Sequence, residues 1–176
     1  MTRLASLFAL LALTAVGCGG NGDSSASGTN TSTTPLEKAL PTPVAEKREA
    51  IVAAAKSLDY DRLESLLDPK SFSYSFGESG DPVGYWRRLE KEGHVPILGD
   101  YLPVVFSSPH ALRGDVYVWP SAHGDPPSEW SAAERRWLRN LYSKQEIKQF
   151  EKAGGYLGYR AGIRKDGTWL FFIAGD

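Results

Sequence analysis

The residue types that most often carry catalysis are few and widely spaced in this sequence. The histidines are His94, His110 and His123, and they show neither an H-x-x-x-H nor an HExxH spacing. The sequence therefore does not place two imidazoles on one helix face, as a metal-binding pair requires. No G-x-S-x-G motif is present to expose a serine nucleophile on a sharp turn. We predict no metal ion, no cofactor and no catalytic triad, with the histidines in exposed loops.

A glycine-rich stretch at 154–158 imitates a nucleotide-binding loop, since glycines let a backbone approach phosphate groups closely. A phosphate site of that kind needs the N-terminus of a helix directly after the loop. Here an apolar run typical of a strand follows instead. We interpret the stretch as a helix stop followed by a strand glycine.

The single cysteine, Cys18, follows a short apolar segment near the start of the chain. Arg3 makes that start positive, Leu4 to Val16 is almost wholly apolar, and small residues precede the cysteine. The apolar run is shorter than the roughly 20 residues that a membrane-spanning helix needs. The arrangement resembles a bacterial lipoprotein signal peptide with its lipobox.

This resemblance implies that the Cys18 thiol carries diacylglycerol, that the leader is cleaved before Cys18, and that the new N-terminus is anchored to a membrane. The alternative is an ordinary signal peptide that leaves Cys18 unmodified. With Cys18 used for lipid, no thiol is left for a disulfide or a metal site. We expect a protein held on a cell membrane by its lipid and exposed outside the cytoplasm.

The resemblance implies a signal peptide at 1–17 and a lipidated Cys18, and the composition predicts a tether up to residue 43 and a single α+β domain at 44–176. Residues 19–34 are only Gly, Asn, Asp, Ser, Thr and Ala, which cannot form a core and predict disorder. A tether of roughly 25 such residues has an r.m.s. reach of about 25–30 Å.

Charge is nearly balanced, with a formal net charge of −1 at pH 7. Nucleic-acid binding would require a basic patch or stripe, so we predict no nucleic-acid partner. The same balance argues against an electrostatic attachment to anionic lipid beyond the anchor itself.

Helix signals recur along the expected domain. Val44 to Leu58 carries an apolar stripe that includes Ile51, Ala54 and Leu58. The other helices are predicted from their start signals: Asp59 or Asp61 before Leu63, Asp81-Pro82 before a helix to Glu92, and the capping boxes Ser131–Glu134 and Ser143–Glu146.

Strand signals are strongest at three places. Residues 71–76 alternate serine with an aromatic residue, 115–119 form a short apolar run, and Asp166-Gly167 separates two apolar runs as in a β-hairpin. For 95–109 the prolines leave two alternatives open, a short edge strand or a turn of helix.

A two-residue turn at Asp166-Gly167 would pair Ile163 with Leu170 and Arg160 with Ile173. Both faces of such a hairpin carry large apolar groups, which predicts helices on one face and a lid or partner on the other. Arg160 shares a face with apolar residues and glycines. A guanidinium there needs either an internal carboxylate or an anionic ligand, because an unpaired buried charge is costly.

The order of these elements resembles the nuclear transport factor 2-like (SnoaL-like) cone fold. The resemblance rests on the alanine-rich helix with 58–63, the strand 72–76 and the hairpin motif 162–169, and it covers most of 44–176. It implies an α+β fold in which a curved antiparallel sheet packs with the N-terminal helices and encloses a pocket. A helical insertion near 128–152 departs from the usual compact form.

Proteins of this fold include isomerases, dehydratases and non-catalytic domains, and the enzymes place an Asp, His or Tyr in the pocket. The resemblance makes Asp115, Tyr74, Tyr85 and Tyr159 pocket candidates here, with Trp119 as a further ligand contact. The alternative is that Asp115 belongs to a turn and that the tyrosines are core residues with solvated hydroxyls.

Three functions fit this sequence. We expect a lipid-anchored, non-catalytic domain that binds an envelope protein or a small molecule. The first alternative is a cone-fold hydrolase, isomerase or lyase acting on envelope material. The second is a structural module that forms a homodimer through its aromatic hairpin.

Overall fold

A computed structural model describes residues 39–74, 80–93 and 97–175 of the chain. The described elements combine helices with one sheet, so the predicted α+β class is confirmed. The helices are α1 (Thr42–Lys56), α2 (Tyr60–Leu66), α3 (Pro82–Lys91), α4 (Leu102–Phe106), α5 (Ala132–Leu141) and α6 (Lys144–Ala153). The strands are β1 (Ala111–Arg113), β2 (Val116–Trp119), β3 (Arg160–Arg164) and β4 (Trp169–Ile173). All of them lie in one unit, Lys38–Asp176, which carries its own buried core.

The sheet is open and antiparallel, with its strands in the order β1-β2-β3-β4. The sequence predicted β2 and the β3–β4 hairpin but not β1, whose three residues are half-buried or exposed. Such a short, polar-flanked segment gives no alternation to recognise. It becomes a strand because Gly114, with φ +65°, turns the chain back so that β1 pairs with β2.

The hairpin register is the predicted one away from the turn, where Arg160 pairs with Ile173. Next to the turn the prediction is wrong, because Ile163 pairs with Trp169 rather than with Leu170. The cause is a longer loop: the Arg164 N–H donates to the Thr168 carbonyl at 2.9 Å, with the Gly167 φ at +89°. A left-handed glycine after a turn is the usual route to such a register shift.

The aromatic segment 71–76 is not a regular strand over its described residues. Ser73 forms an isolated parallel bridge to β4, donating its N–H to the Leu170 carbonyl at 2.9 Å and accepting from the Phe172 N–H at 3.0 Å. The alternation correctly predicted which side chains are buried, since Phe72 and Tyr74 are buried while Ser73 is exposed. Phe76 lies outside the described residues.

The segment 95–109 is helical over most of its described part. A short π-helix, Ile97–Tyr101, runs directly into α4. Leu98 of the π-helix and Leu102 and Phe106 of α4 are fully buried. Of the two alternatives that the prolines left open, the segment is therefore helical and not an edge strand, because the helix buries these side chains against α1 and the sheet.

The predicted N-caps of α2, α3, α5 and α6 are confirmed. Asp59 accepts a hydrogen bond from the Arg62 N–H at 2.9 Å, and Asp81 accepts one from the Gly84 N–H at 2.7 Å. Both capping boxes are complete, so α5 and α6 begin at the serines that the sequence indicates. The predicted α3 end at Glu92 is its C-cap residue.

The end of α1 departs from the prediction. Ile51 and Ala54 are buried as expected, but Leu58 is 48% exposed and does not continue the stripe. The helix stops at Lys56, and Leu58 lies in the left-handed region with φ +53°. This reversal turns its side chain away from the core.

The core lies between one face of the sheet and the helices. Trp119, Ile163 and Phe172 from three strands are almost completely buried, and α1 and α4 both contact β3. On the opposite face the Phe171 ring lies over Gly162, where a Cβ would come within 2.2 Å of the ring.

Pro43, in the first turn of α1, closes one end of the domain against the hairpin turn. A Cβ at Gly167 would lie 2.9 Å from the Pro43 carbonyl oxygen.

Candidate functional site

Six of the eight tyrosines gather on neighbouring segments of the domain. We call this group the tyrosine cluster; its members are Tyr74, Tyr85, Tyr101, Tyr142, Tyr156 and Tyr159. It brings together two of the predicted ligand contacts, Tyr74 and Tyr85, whose ring centroids are 5.4 Å apart. It also includes Tyr159, whose ring lies 5.0 Å from that of Tyr101.

One half of the cluster is fixed by its own hydrogen bonds. The Tyr156 hydroxyl donates to the Tyr159 carbonyl at 2.7 Å. Its 2.9 Å bond to the Tyr142 hydroxyl must therefore have Tyr142 as the donor. The Tyr142 oxygen in turn accepts the Tyr159 N–H at 3.2 Å. Burial raises the pKa of Tyr142 and raises the pKa of Tyr156 well above its ordinary value, so both remain neutral phenols.

Gly158 makes this arrangement possible. A Cβ at Gly158 would lie 2.1 Å from the Tyr142 hydroxyl and 2.4 Å from the Tyr156 hydroxyl. Any side chain there would displace both phenols. The glycine-rich stretch thus has a role in the cluster beyond ending α6, which Gly154 does with a left-handed φ of +82°.

The other half of the cluster has hydroxyls that no described residue uses. Tyr85, Tyr101 and Tyr159 are half-buried, and none of their hydroxyls hydrogen-bonds to another residue of the described part. The pKa of Tyr159 is raised to about 12, mainly by burial. The neighbouring phenols of Tyr101, Tyr85 and Tyr142 contribute smaller amounts to this rise. The Tyr159 phenol can therefore donate and accept a hydrogen bond at neutral pH.

Two arginines flank the cluster. The Arg88 guanidinium carbon lies 5.4 Å from the Tyr85 ring centroid, within cation–π range. Arg160 is close enough to Tyr156 to oppose the rise in the pKa of that phenol. The Arg160 side chain is half-buried and donates to the Gly175 carbonyl, so part of its hydrogen-bonding capacity is used by the chain itself.

The remaining predicted contacts lie in other surroundings. Asp115 is an exposed turn residue between β1 and β2, and its carboxylate lies 3.7 Å from the Arg164 side chain. Trp119 is only 1% exposed, and its ring partners are Phe106 at 5.1 Å and His110 at 5.5 Å. The structure thus joins Tyr74, Tyr85 and Tyr159 in one place but does not bring Asp115 or Trp119 to them.

Sequence reasoning missed Tyr101, Tyr142 and Tyr156. Tyr101 lies in the segment whose structure the prolines left open, and the other two follow helix ends, where no periodicity predicts a direction. The one local signal is Gly158, a glycine placed between Tyr156 and Tyr159. A glycine beside bulky rings often marks a close approach.

In the described part of the chain, no group of three or more His, Cys, Asp or Glu side chains is placed to hold a metal ion. Within the same residues, no helix has both the length and the apolar character needed to cross a bilayer.

No family model, curated protein or solved structure matches the chain. Both the lipobox and the cone-fold resemblance therefore remain predictions from the sequence.

Proposed function

We propose that this protein is a lipid-anchored cell-envelope protein whose α+β domain binds a small ligand at the tyrosine cluster without catalysing a reaction. Support for the anchor comes from Cys18 and the apolar leader before it. Support for binding comes from the cluster, and above all from the hydroxyls of Tyr85, Tyr101 and Tyr159, which no described residue uses.

The domain is proposed to have the cone-like arrangement that the sequence resembles. Packing of α1 and α4 on one face of an antiparallel sheet is consistent with that arrangement. In a cone fold the pocket lies between the sheet and the helices. The cluster draws on both, since Tyr85 lies on α3 and Tyr159 directly precedes β3.

The chemistry of the cluster indicates the class of ligand. Aromatic side chains with a few polar groups are typical of small-molecule sites. Here the polar groups are neutral phenols. They suit hydroxyl and amide groups of a ligand better than charged groups. We propose a ring compound with one apolar face and several hydrogen-bonding groups, and sugars of the cell envelope are the class that fits best.

Calorimetric titration with tri-N-acetylchitotriose tests the binding proposal. Saturable binding should weaken on Tyr159→Phe or Tyr101→Phe, because each variant removes one hydroxyl and keeps the ring. Loss of one hydrogen bond corresponds to about 1 kcal/mol, a roughly five-fold weaker affinity. Tyr117→Phe is the matched control, since that ring packs beside His110 rather than in the cluster. No binding, or equal binding by all variants, would refute this proposal.

The anchor is tested by intact mass and membrane fractionation of the full-length protein beside Cys18→Ala. We expect a mass showing cleavage before Cys18 and added acyl chains, with membrane retention lost in the variant. An unacylated product that fractionates with soluble protein would remove the anchor from the proposal and leave the binding test unaffected.

A further inference from the structure

The corner between α1 and α2 exposes an apolar side chain in an unfavourable backbone conformation. The Asp59 N–H donates to the Ala54 carbonyl at 2.9 Å and the Leu58 N–H to the Ala55 carbonyl at 3.1 Å, which together form a Schellman motif. The left-handed position of this motif normally holds glycine or asparagine. Here it holds Leu58, with φ +53° and 48% of its surface exposed. Strained residues that gain little burial concentrate at functional sites.

Carboxylates outnumber basic side chains in the sequence around this leucine. Residues 56–64 contain Asp59, Asp61 and Glu64 against Lys56 and Arg62. The side chain of Asp61 is 89% exposed, although it pairs with Arg87 at 2.7 Å. The corner therefore presents a large apolar group beside the exposed residues Asp59 and Glu64.

The groove between α5 and α6 has the opposite character. It is a cavity of about 230 Å³ whose apolar lining includes Trp130, Leu138 and Ile147. Arg135 on its rim is engaged, because it lies 3.6 Å from Glu151 and donates to the Pro127 carbonyl. The other basic rim residues, Arg139, Lys144 and Lys148, make no ion pair with any described residue.

We propose that the Leu58 corner of one copy of this chain docks into the α5–α6 groove of a second copy. The groove is smaller than the roughly 300–1,000 Å³ typical of small-molecule sites, which favours a protein side chain as its occupant. An apolar group flanked by carboxylates complements an apolar floor with an uncompensated basic rim. Because the two surfaces differ, the contact is heterologous, and a pair of copies keeps one free corner and one free groove to which further copies can bind.

Sedimentation velocity of the unit 38–176 over increasing concentration tests this proposal. The wild-type weight-average mass should rise above the monomer value and fall back at high salt. Leu58→Gly should stay monomeric at every concentration while its melting temperature does not fall, because glycine suits the left-handed position. Arg139→Glu with Lys148→Glu should also stay monomeric. Leu112→Ser is the control, since Leu112 is the other large exposed apolar residue of the described part, at 43%.

A mixture of the two non-associating variants gives the decisive measurement. Leu58→Gly keeps its groove and the double variant keeps its corner, so the mixture should form a 1:1 complex that cannot extend further. A monomeric wild type would overturn the proposal and leave the groove to a different, acidic partner. Association that persists in either variant, or a mixture that stays monomeric, would overturn it equally.

Discussion

At the scale of single residues, Gly158 is the position on which the fixed half of the tyrosine cluster depends. Replacing it with alanine would place a Cβ 2.1 Å from the Tyr142 hydroxyl and displace a buried phenol pair. We expect Gly158→Ala to lower the free energy of unfolding by about 1–3 kcal/mol, as overpacking of a core does. Urea titration followed by circular dichroism measures this change.

Gly155→Ala is the matched control for that substitution. Gly155 lies in the same stretch, and a Cβ there would meet no atom within 4 Å. Its effect should stay within about 0.5 kcal/mol, the range of ordinary surface changes. Equal effects at the two positions would show that the stretch matters for its backbone alone and not for the phenols it accommodates.

The phenols also predict a pH dependence. The pKa of Tyr159 is about 12 in the folded domain, against about 10 for an unperturbed phenol. A raised folded-state pKa means that the neutral form is preferred in the folded state. Its contribution is complete below pH 10 and is lost as the pH rises toward 12. The free energy of unfolding of wild type should therefore fall more steeply over this interval than that of Tyr159→Phe. Parallel profiles would contradict the assignment.

At the scale of elements, α5 is attached to the sheet through its capping box. Glu134 is 7% exposed, accepts the Ser131 N–H at 2.6 Å, and also accepts the Ser121 hydroxyl beyond β2. Glu146 in the second box accepts the Ser143 N–H at 2.8 Å and is exposed. Hydrogen bonding to Ser143 lowers the pKa of Glu146, but solvent can replace that bond.

We therefore expect Glu134→Ala to cost about 2 kcal/mol and Glu146→Ala about 0.5–1 kcal/mol, because only the first also removes a hydrogen bond to the half-buried Ser121 hydroxyl. Chemical denaturation of the two variants side by side measures the difference. An equal cost at both positions would mean that the Ser121 bond adds nothing to the cap.

Local signals predicted the elements well and their partners poorly. The caps at Asp59, Asp81 and the two serines are confirmed because each depends on residues within three positions of one another. The alternation at 71–74 predicted which side chains are buried, but the bridge from Ser73 to β4 joins residues far apart in the sequence. The tyrosine cluster likewise depends on residues far apart in the sequence, since Tyr74, Tyr85 and Tyr159 meet only after the chain has folded.

At the scale of the whole molecule, the tryptophans report on the entire core. All five are at most 7% exposed, and they come from α3, β2, the segment before α5, α5 itself and β4. A single cooperative transition should therefore appear at one midpoint in tryptophan fluorescence and in far-ultraviolet circular dichroism. A separate early fluorescence change would mean that the α5–α6 pair unfolds independently of the sheet.

The contact between Pro43 and Gly167 fixes where the preceding chain enters the domain, at the turn of the β3–β4 hairpin. Any pull carried by that chain reaches the first turn of α1 before it reaches the sheet. The bonds there, from the Val44 and Ala45 N–H groups to the Pro41 carbonyl at 2.9 and 3.0 Å, lie in series with the load. They would break one after another, whereas the strands of the sheet would have to part together. The domain is therefore built to give way mechanically at α1 first, with the sheet still intact behind it.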